Sequence, residues 1–244
     1  MLGLWEWLVR AFAIPSYVLP GPLLVLTTLW QEGPSLLGAL LVTLQITAAA
    51  LLAATLLGTG LAILMAQSRW VERSLFPYAV ILQVTPIVAI APLIIIYVND
   101  VFLSLLICAW IVAFFPIVSN TVLGLRSADL GLRDLFSLYA ASRWQRFRYL
   151  LWPSALPYFL AGLRISGGLA LIGAVVAEFV AGTGGSESGL AFRILEAGYR
   201  LQIPKMFAGL VLLAVAGIVI YALLSWLAAR LLRRWHESAI AESE

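Results

Sequence analysis

An all-α bundle of membrane-spanning helices is the fold class that this sequence predicts, on three observations. Only 11% of the 244 residues are charged, 63% are hydrophobic and the mean hydropathy is +1.02. A soluble domain carries about 25% charge and about 45–50% apolar residues. Four long runs hold no charge at all: 33–68, 74–99, 101–125 and 206–229. The lysines and arginines that remain are spread unequally over the segments between these runs. So little charge excludes a soluble enzyme and a disordered chain. The net charge of +3 and pI near 9.2 do not point to nucleic acid. The charges lie in loops between apolar runs and form no basic face.

The elements follow in chain order. Residues 1–14 are apolar apart from Glu6 and Arg10. At 1.5 Å per residue they reach about 21 Å, short of a ~30 Å hydrocarbon core. They make a partial helix, which Pro15, Pro20 and Pro22 end. No signal peptide is indicated, because the first charge is Glu6 and no small-residue cleavage site follows cleanly. Residues 22–31 are expected as a short helix in the membrane interface, anchored by Trp30. Each uncharged run exceeds the ~20 residues that a spanning helix needs. A fifth span covers 155–181 and is interrupted by Arg164 and Glu178. The expectation is five full spans plus a short or truncated N-terminal sixth. Residues 1–35 are then an N-terminal segment, 36–235 the transmembrane domain and 236–244 a polar tail.

Orientation comes from the basic residues. One set of loops and the tail hold ten: Arg69, Arg73, Arg126, Arg133, Arg143, Arg146, Arg148, Arg230, Arg233 and Arg234. The opposite loops hold three, Arg193, Arg200 and Lys205. Positive charge collects on the cytoplasmic side. Residues 126–150 and the C-terminus are therefore expected inside the cell, and 182–205 outside.

The reactive inventory is poor. One Cys (Cys108) and one His (His236) allow no disulfide and no His/Cys metal cluster. Cys108 lies in an apolar run and reads as a packing residue. His236 reads as a solvated tail residue. Gly182-Thr183-Gly184-Gly185 has no following Lys, so it reads as a turn and not as a phosphate cradle.

The segment 127–162 is amphipathic and rich in proline at its end. Leu132, Leu135, Phe136 and Tyr139 recur at helical spacing. A second helix starts at Ser142, a suitable N-cap. It presents Arg143, Arg146, Trp144 and Phe147. This helix either lies on lipid headgroups or docks a cytosolic partner.

The same residues resemble the EAA loop of ABC-importer permeases, the binding-protein-dependent type. Asp134 stands at that family's Glu, Leu135 and Phe136 at its two alanines, and Ala140 at its glycine. Ala141-Ser142-Arg143-Trp144-Gln145, Trp152-Pro153, Pro157 and Gly162-Leu163-Arg164 continue the likeness. So do Ile172-Gly173-Ala174-Val175-Val176-Ala177-Glu178-Phe179, and earlier Phe115-Pro116, Asn120 and Gly124-Leu125-Arg126. The likeness covers about 36–235 and is nearest to the nitrate/sulfonate/taurine permeases. The stretch Gln83-Val84-Thr85-Pro86-Ile87-Val88-Ala89 resembles permeases for pyrimidine-type vitamin precursors. Against such permeases the chain is short by part of the first helix, as a late start site or truncated gene model would give.

The resemblance implies a type I importer fold in the bacterial cytoplasmic (inner) membrane and no catalytic residue in this chain. It implies a separate ATPase that carries ATP and Mg, an extracytoplasmic binding protein and a second permease copy, most simply a homodimer. Segment 127–152 is then the coupling loop. Asp134, Tyr139, Ala140, Ala141, Ser142, Arg143, Trp144 and Phe147 would contact the ATPase through a helix near 138–148. The spans would switch access as rigid bodies. Ala49, Ala53, Gly58, Gly60, Gly162, Gly167 and Gly168 suit close helix approach, within one chain or between two.

Polar residues at membrane depth mark a translocation pathway. They are Gln45, Gln83, Thr85, Asn120, Arg164 and Glu178, with Thr47 nearby. Arg164 and Glu178 share a face of the fifth span, about four turns apart. Glu178 reads either as a gate residue or as a partner for a helix end or an external Arg. A narrow, mostly uncharged channel suits a small neutral or aromatic solute. Two other classes stand against this reading. An integral membrane enzyme needs convergent His, Asp or Cys groups that are missing. A secondary transporter wants an inverted repeat and more intramembrane carboxylates.

Overall fold

The computed structural model describes residues 2–181 and 188–233, and among them there are helices and no strand. Helix α1 is Leu2–Ala11, α2 Pro22–Gln67, α3 Arg69–Val84, α4 Ile87–Tyr97 and α5 Val101–Arg126. Then come α6 Leu130–Leu138, α7 Arg143–Arg146, a π-helical turn Phe147–Leu151, α8 Trp152–Ala181, α9 Leu190–Tyr199 and α10 Ile203–Leu232. Four helices are long and apolar enough to cross a membrane: α2, the run Arg143–Ala181 that contains α8, α5 and α10. Taking α3 and α4 as one broken span makes five.

Helix α2 corrects the expected interfacial helix. Residues 22–31 are the first turns of one helix of 46 residues, and Pro34 lies inside it. Proline at the start of α2 is favoured, because its missing N–H has no intrahelical partner anyway. The next donor, the N–H of Leu23, meets the Glu6 carboxylate at 3.3 Å. Glu6 is itself held by Arg10 at 2.6 Å. An anion at a helix N-terminus is stabilising, so α1 acts as the cap of α2. Pro34 is tolerated because membrane helices accept a single lost hydrogen bond.

The contacts divide the chain into two compact units. The first contains the chain up to Ala48, with Ile87–Cys108 and Leu171–Val219. Its core joins Val25, Leu36, Ala39 and Leu40 of α2 to Leu190 and Ile194 of α9 and Ala208 and Ala216 of α10. Trp5 packs beside Phe207 at 6.2 Å between ring centres, and Lys205 pairs with Glu32 at 2.9 Å.

The second unit contains Ala49–Pro86, Ala109–Ala170 and the chain from Ile220. Ala54, Ala113, Ile117, Leu160, Leu163, Ala170 and Ala228 bring α2, α5, α8 and α10 together. Ala62, Met65, Phe114, Val118 and Val122 form a second cluster, onto which Leu75, Phe76 and Leu82 of α3 pack. Close approach rests on glycine. A Cβ at Gly162 would meet the Pro116 carbonyl oxygen at 2.7 Å, and one at Gly124 the Ala155 Cα at 2.8 Å. Gly58 and Gly167 likewise pack within the chain, whereas Gly60 and Gly168 face open space.

The span expected at 74–99 is broken. Helix α3 stops at Val84, the Thr85-Pro86 step interrupts the ladder, and α4 continues at 98° to α3. Pro86 has no N–H to offer, and the residue before a proline is pushed out of the helical region. Thr85 is accordingly extended, with φ −70 and ψ 121. Helix α9 stands where the sequence suggested only a loop. The glycine-rich 182–185 and the tail with His236 lie outside the described residues.

Candidate coupling and translocation site

The segment between α5 and α8 begins with a cap. The Asp129 carboxylate accepts from the N–H of Leu132 at 3.0 Å and starts α6. Helix α6 ends at Tyr139, and Ala140 then takes φ 46, the left-handed region. The N–H of Ala141 returns to the Phe136 carbonyl at 2.9 Å, the closure that an αL residue after a helix permits. Ser142 and Gln145 form a reciprocal capping box. Gln145 N–H donates to Ser142 Oγ at 3.2 Å, and Ser142 N–H donates to Gln145 Oε1 at 2.8 Å. The helical stretches expected through 132–139 and from the N-cap Ser142 are thus separate helices, α6 and α7. The docking helix expected near 138–148 is interrupted by a tight turn at 139–142, where left-handed Ala140 ends α6.

The turn displays apolar surface. Leu138 is 84% exposed, Tyr139 80% and Trp144 65%. Asp134, Ala140, Ser142 and Arg143 are also exposed, while Ala141 and Phe147 are half-buried. Trp144 stacks on Phe147 at 5.8 Å, Phe147 packs on Trp152 at 6.1 Å and Trp152 on Phe159 at 5.7 Å. An aromatic ladder thus ties the short α7 to the long α8. Leu135, Phe136, Tyr139, Ala141, Gln145 and Tyr149 line a cleft of about 300 Å³.

The six polar pathway residues are divided between the two units. Gln45 and Glu178 belong to the first unit, and Gln83, Thr85, Asn120 and Arg164 to the second. No hydrogen bond joins any two of them among the described residues. Gln45 and Gln83 are exposed. Thr85 Oγ donates to the Ile81 carbonyl at 2.6 Å, and the Asn120 amide donates to the Pro116 carbonyl at 2.8 Å. Both are spent on their own helix. Arg164 Nε is buried without a hydrogen bond among the described residues.

Glu178 is 2% exposed and is committed to a helix end. Its Oε2 accepts from the N–H of Ala191 at 2.9 Å, in the first turn of α9. Beside it, Thr43 Oγ of α2 accepts from the N–H of Leu190 at 2.9 Å. These two side chains satisfy donors that a helix N-terminus otherwise leaves orphaned. A Cβ at Gly189 would overlap the Glu178 carboxylate. Glu178 thus has a helix end as its hydrogen-bond partner in this structure. Sequence reasoning missed Thr43, Gly189 and α9 itself. The buried Leu190, Ala191, Ile194 and Ala197 gave a helical signal, but over ten residues it fell below the length of a span. The described residues hold no group of His, Cys, Asp or Glu that fits a metal ion.

The family pattern described as "Binding-protein-dependent transport system inner membrane component" matches residues 54–237. The chain belongs to that family. This permease is 35% identical over 240 residues to the riboflavin transport system permease protein RibX of Chloroflexus aurantiacus, covering 98% of the chain and 88% of the relative. It is 33% identical to the formylaminopyrimidine transport permease protein ThiX of Halalkalibacterium halodurans, over 91% and 87% of the two chains. It is 33% identical to the taurine transport system permease protein TauC of Escherichia coli, over 86% and 72%. Among solved structures, the permease superposes on an amino acid ABC transporter solved with histidines with a TM-score of 0.67. There the identity is 18%, and 84% and 97% of the two chains are covered, which shows the shared fold. The permease is thus an inner-membrane, multi-pass transport subunit of an ABC importer and not itself catalytic. The secondary-transporter and membrane-enzyme readings fall away.

Proposed function

We propose that this permease docks a separate ATPase, which carries ATP and Mg, through the turn at 139–142 and the two helices that flank it. The observation that supports this reading is the exposed cluster Leu138, Tyr139 and Trp144 around left-handed Ala140. A soluble face of that apolarity is unfavourable unless another surface covers it. Asp134, Tyr139, Ala140, Ala141, Ser142, Arg143, Trp144 and Phe147 make the contact. Residues 127–152 are the coupling loop of a transport domain that runs to 235. Five spans cross the inner membrane: α2, the broken pair α3–α4, α5, α8 and α10. The coupling loop and the C-terminus face the cytoplasm, and α9 faces outward toward the binding protein. A second copy completes the pathway, and the open faces at Gly60 and Gly168 suit its approach. Gln45, Gln83, Thr85, Asn120 and Arg164 line the route, while Glu178 anchors α9.

The substrate we infer is a small planar heteroaromatic solute, in keeping with relatives named for riboflavin and formylaminopyrimidine. Tyr139→Ala with Trp144→Ala is expected to abolish uptake in reconstituted importer while the permease stays in the membrane. Uptake at the unsubstituted rate overturns the docking assignment. A thermal-shift screen of the partner binding protein with riboflavin, formylaminopyrimidine, taurine and nitrate checks the substrate class. Stabilisation by taurine or nitrate alone removes the heteroaromatic reading.

A further inference from the structure

We infer that Arg133, Arg126 and Glu72 form a polar relay that carries movement of the docking turn to α3; this rests on the reading of that turn as the ATPase contact. Three elements of the second unit meet at these residues. Arg133 lies in the first turns of α6, and its Nη2 donates to the carbonyls of Arg126 at 2.8 Å and Leu125 at 3.3 Å. Those are the last two residues of α5, whose terminal carbonyls have no intrahelical donor. Arg126 in turn pairs through its own guanidinium with Glu72, in the first turn of α3. The docking side of the relay is also bonded. Arg146 of α7 donates to Ser137 Oγ at 3.0 Å, and Ser137 Oγ donates to the Arg133 carbonyl at 2.8 Å. A continuous series of hydrogen bonds and one ion pair therefore runs from α7 through α6 and the end of α5 to the start of α3.

Apolar packing alone would hold α3 in place. Leu75, Phe76 and Leu82 already pack against the Phe114 and Val118 cluster, and Phe76 meets Phe115 at 5.9 Å. Such contacts resist separation but allow sliding, whereas a hydrogen-bonded ion pair fixes register. Glu72 and Arg126 fix the register of α3 against α5 at the end next to the docking turn. At the other end of α3 the ladder stops at Thr85-Pro86. A displacement entering at Glu72 thus acts on a helix whose own hydrogen-bond ladder does not continue past Thr85-Pro86. Glu72, Arg126 and Arg133 are positioning residues and touch neither nucleotide nor solute.

The pair is open enough to be removed without unfolding, with side-chain exposures of 41% for Arg126 and 19% for Glu72. The test uses the full permease co-purified with its ATPase, with Tyr78→Cys on α3 carrying a nitroxide spin label. Tyr78 is 67% exposed and the native Cys108 is buried. Adding ATP, Mg and vanadate is expected to change the spin-label line shape in this reference protein. Glu72→Gln is expected to shrink that change by roughly threefold or more, with ATPase co-purification intact. The exchange Glu72→Arg with Arg126→Glu is expected to restore it, and Arg126→Lys to fall between. The relay is overturned if Glu72→Gln keeps the full response, or if the exchanged pair co-purifies with the ATPase yet responds no better than Glu72→Gln. A reference protein that does not bring down the ATPase overturns the docking reading instead.

Discussion

Ala140 carries a cost that glycine would not. An L-residue with a Cβ in the left-handed region sits about 1–2 kcal/mol above its favoured conformation, and Ala140 sits there with φ 46. Ala140→Gly is therefore expected to slow hydrogen exchange at 139–142 by about fivefold, reflecting ~1 kcal/mol of relief. Ala140→Val, β-branched at positive φ, is expected to loosen the turn and reduce ATPase co-purification. Glu178 illustrates a second residue-scale effect. Glu178→Ala would leave the Ala191 N–H buried without an acceptor, a loss of about 1–3 kcal/mol that thermal unfolding in detergent reads directly. Neither position was legible from periodicity. Ala140 stood out because it stands where the EAA loop that the segment resembles has its glycine, and Glu178 through the rarity of a carboxylate in an apolar run. Its true partners, the first turn of α9 and nearby Thr43, could not be read from local spacing, because Thr43 precedes Leu190 by 147 residues.

At the scale of elements, the crossing of α5 and α8 depends on the absence of side chains at two points. Gly124 and Gly162 lie against the backbone at Ala155 and Pro116. A backbone carbonyl has no rotamer in which to move aside, so Gly162→Val is expected to cost at least ~1–3 kcal/mol of overpacking, seen as a lower unfolding temperature in detergent. Gly168→Val, facing open space, is expected to leave the monomer's stability unchanged. The spans themselves were legible because lipid tolerates so little charge that uncharged runs mark them. What lay beyond that signal was continuity. Pro34 reads as a break in water-soluble logic, yet α2 runs through it. Thr85-Pro86 reads as a bend and is a full interruption. The amphipathic period of 132–139 predicted α6 well, but no propensity foretold that an alanine would take the glycine-type turn behind it.

For the whole molecule, orientation is the expectation most open to direct test. Leu138→Cys and Tyr199→Cys are both exposed positions, at 84% and 81%. In intact cells an impermeant maleimide is expected to label Tyr199→Cys and to reach Leu138→Cys only after permeabilisation. The reverse pattern would invert the topology. The basic residues that predict this arrangement were the clearest large-scale signal in the sequence, since membranes sort charge before they sort fold. The two compact units were not legible. Both draw on α2, α5, α8 and α10, so no boundary in composition separates them.

The capped start of α9 also bears on biosynthesis. As the chain leaves the ribosome, Thr43 enters the membrane long before its partner Leu190 has been made. In the folded protein the same hydroxyl donates to the carbonyl of Ala39 on its own helix at 3.4 Å while it accepts from Leu190. The N–H groups of Leu190 and Ala191 meet their two acceptors only after α2 and α8 stand side by side with Thr43 and Glu178 in place. Completion of this part of the protein is therefore a late event in its synthesis, and a nascent chain stalled before Tyr199 presents insertion machinery and membrane proteases with helices that have not yet closed.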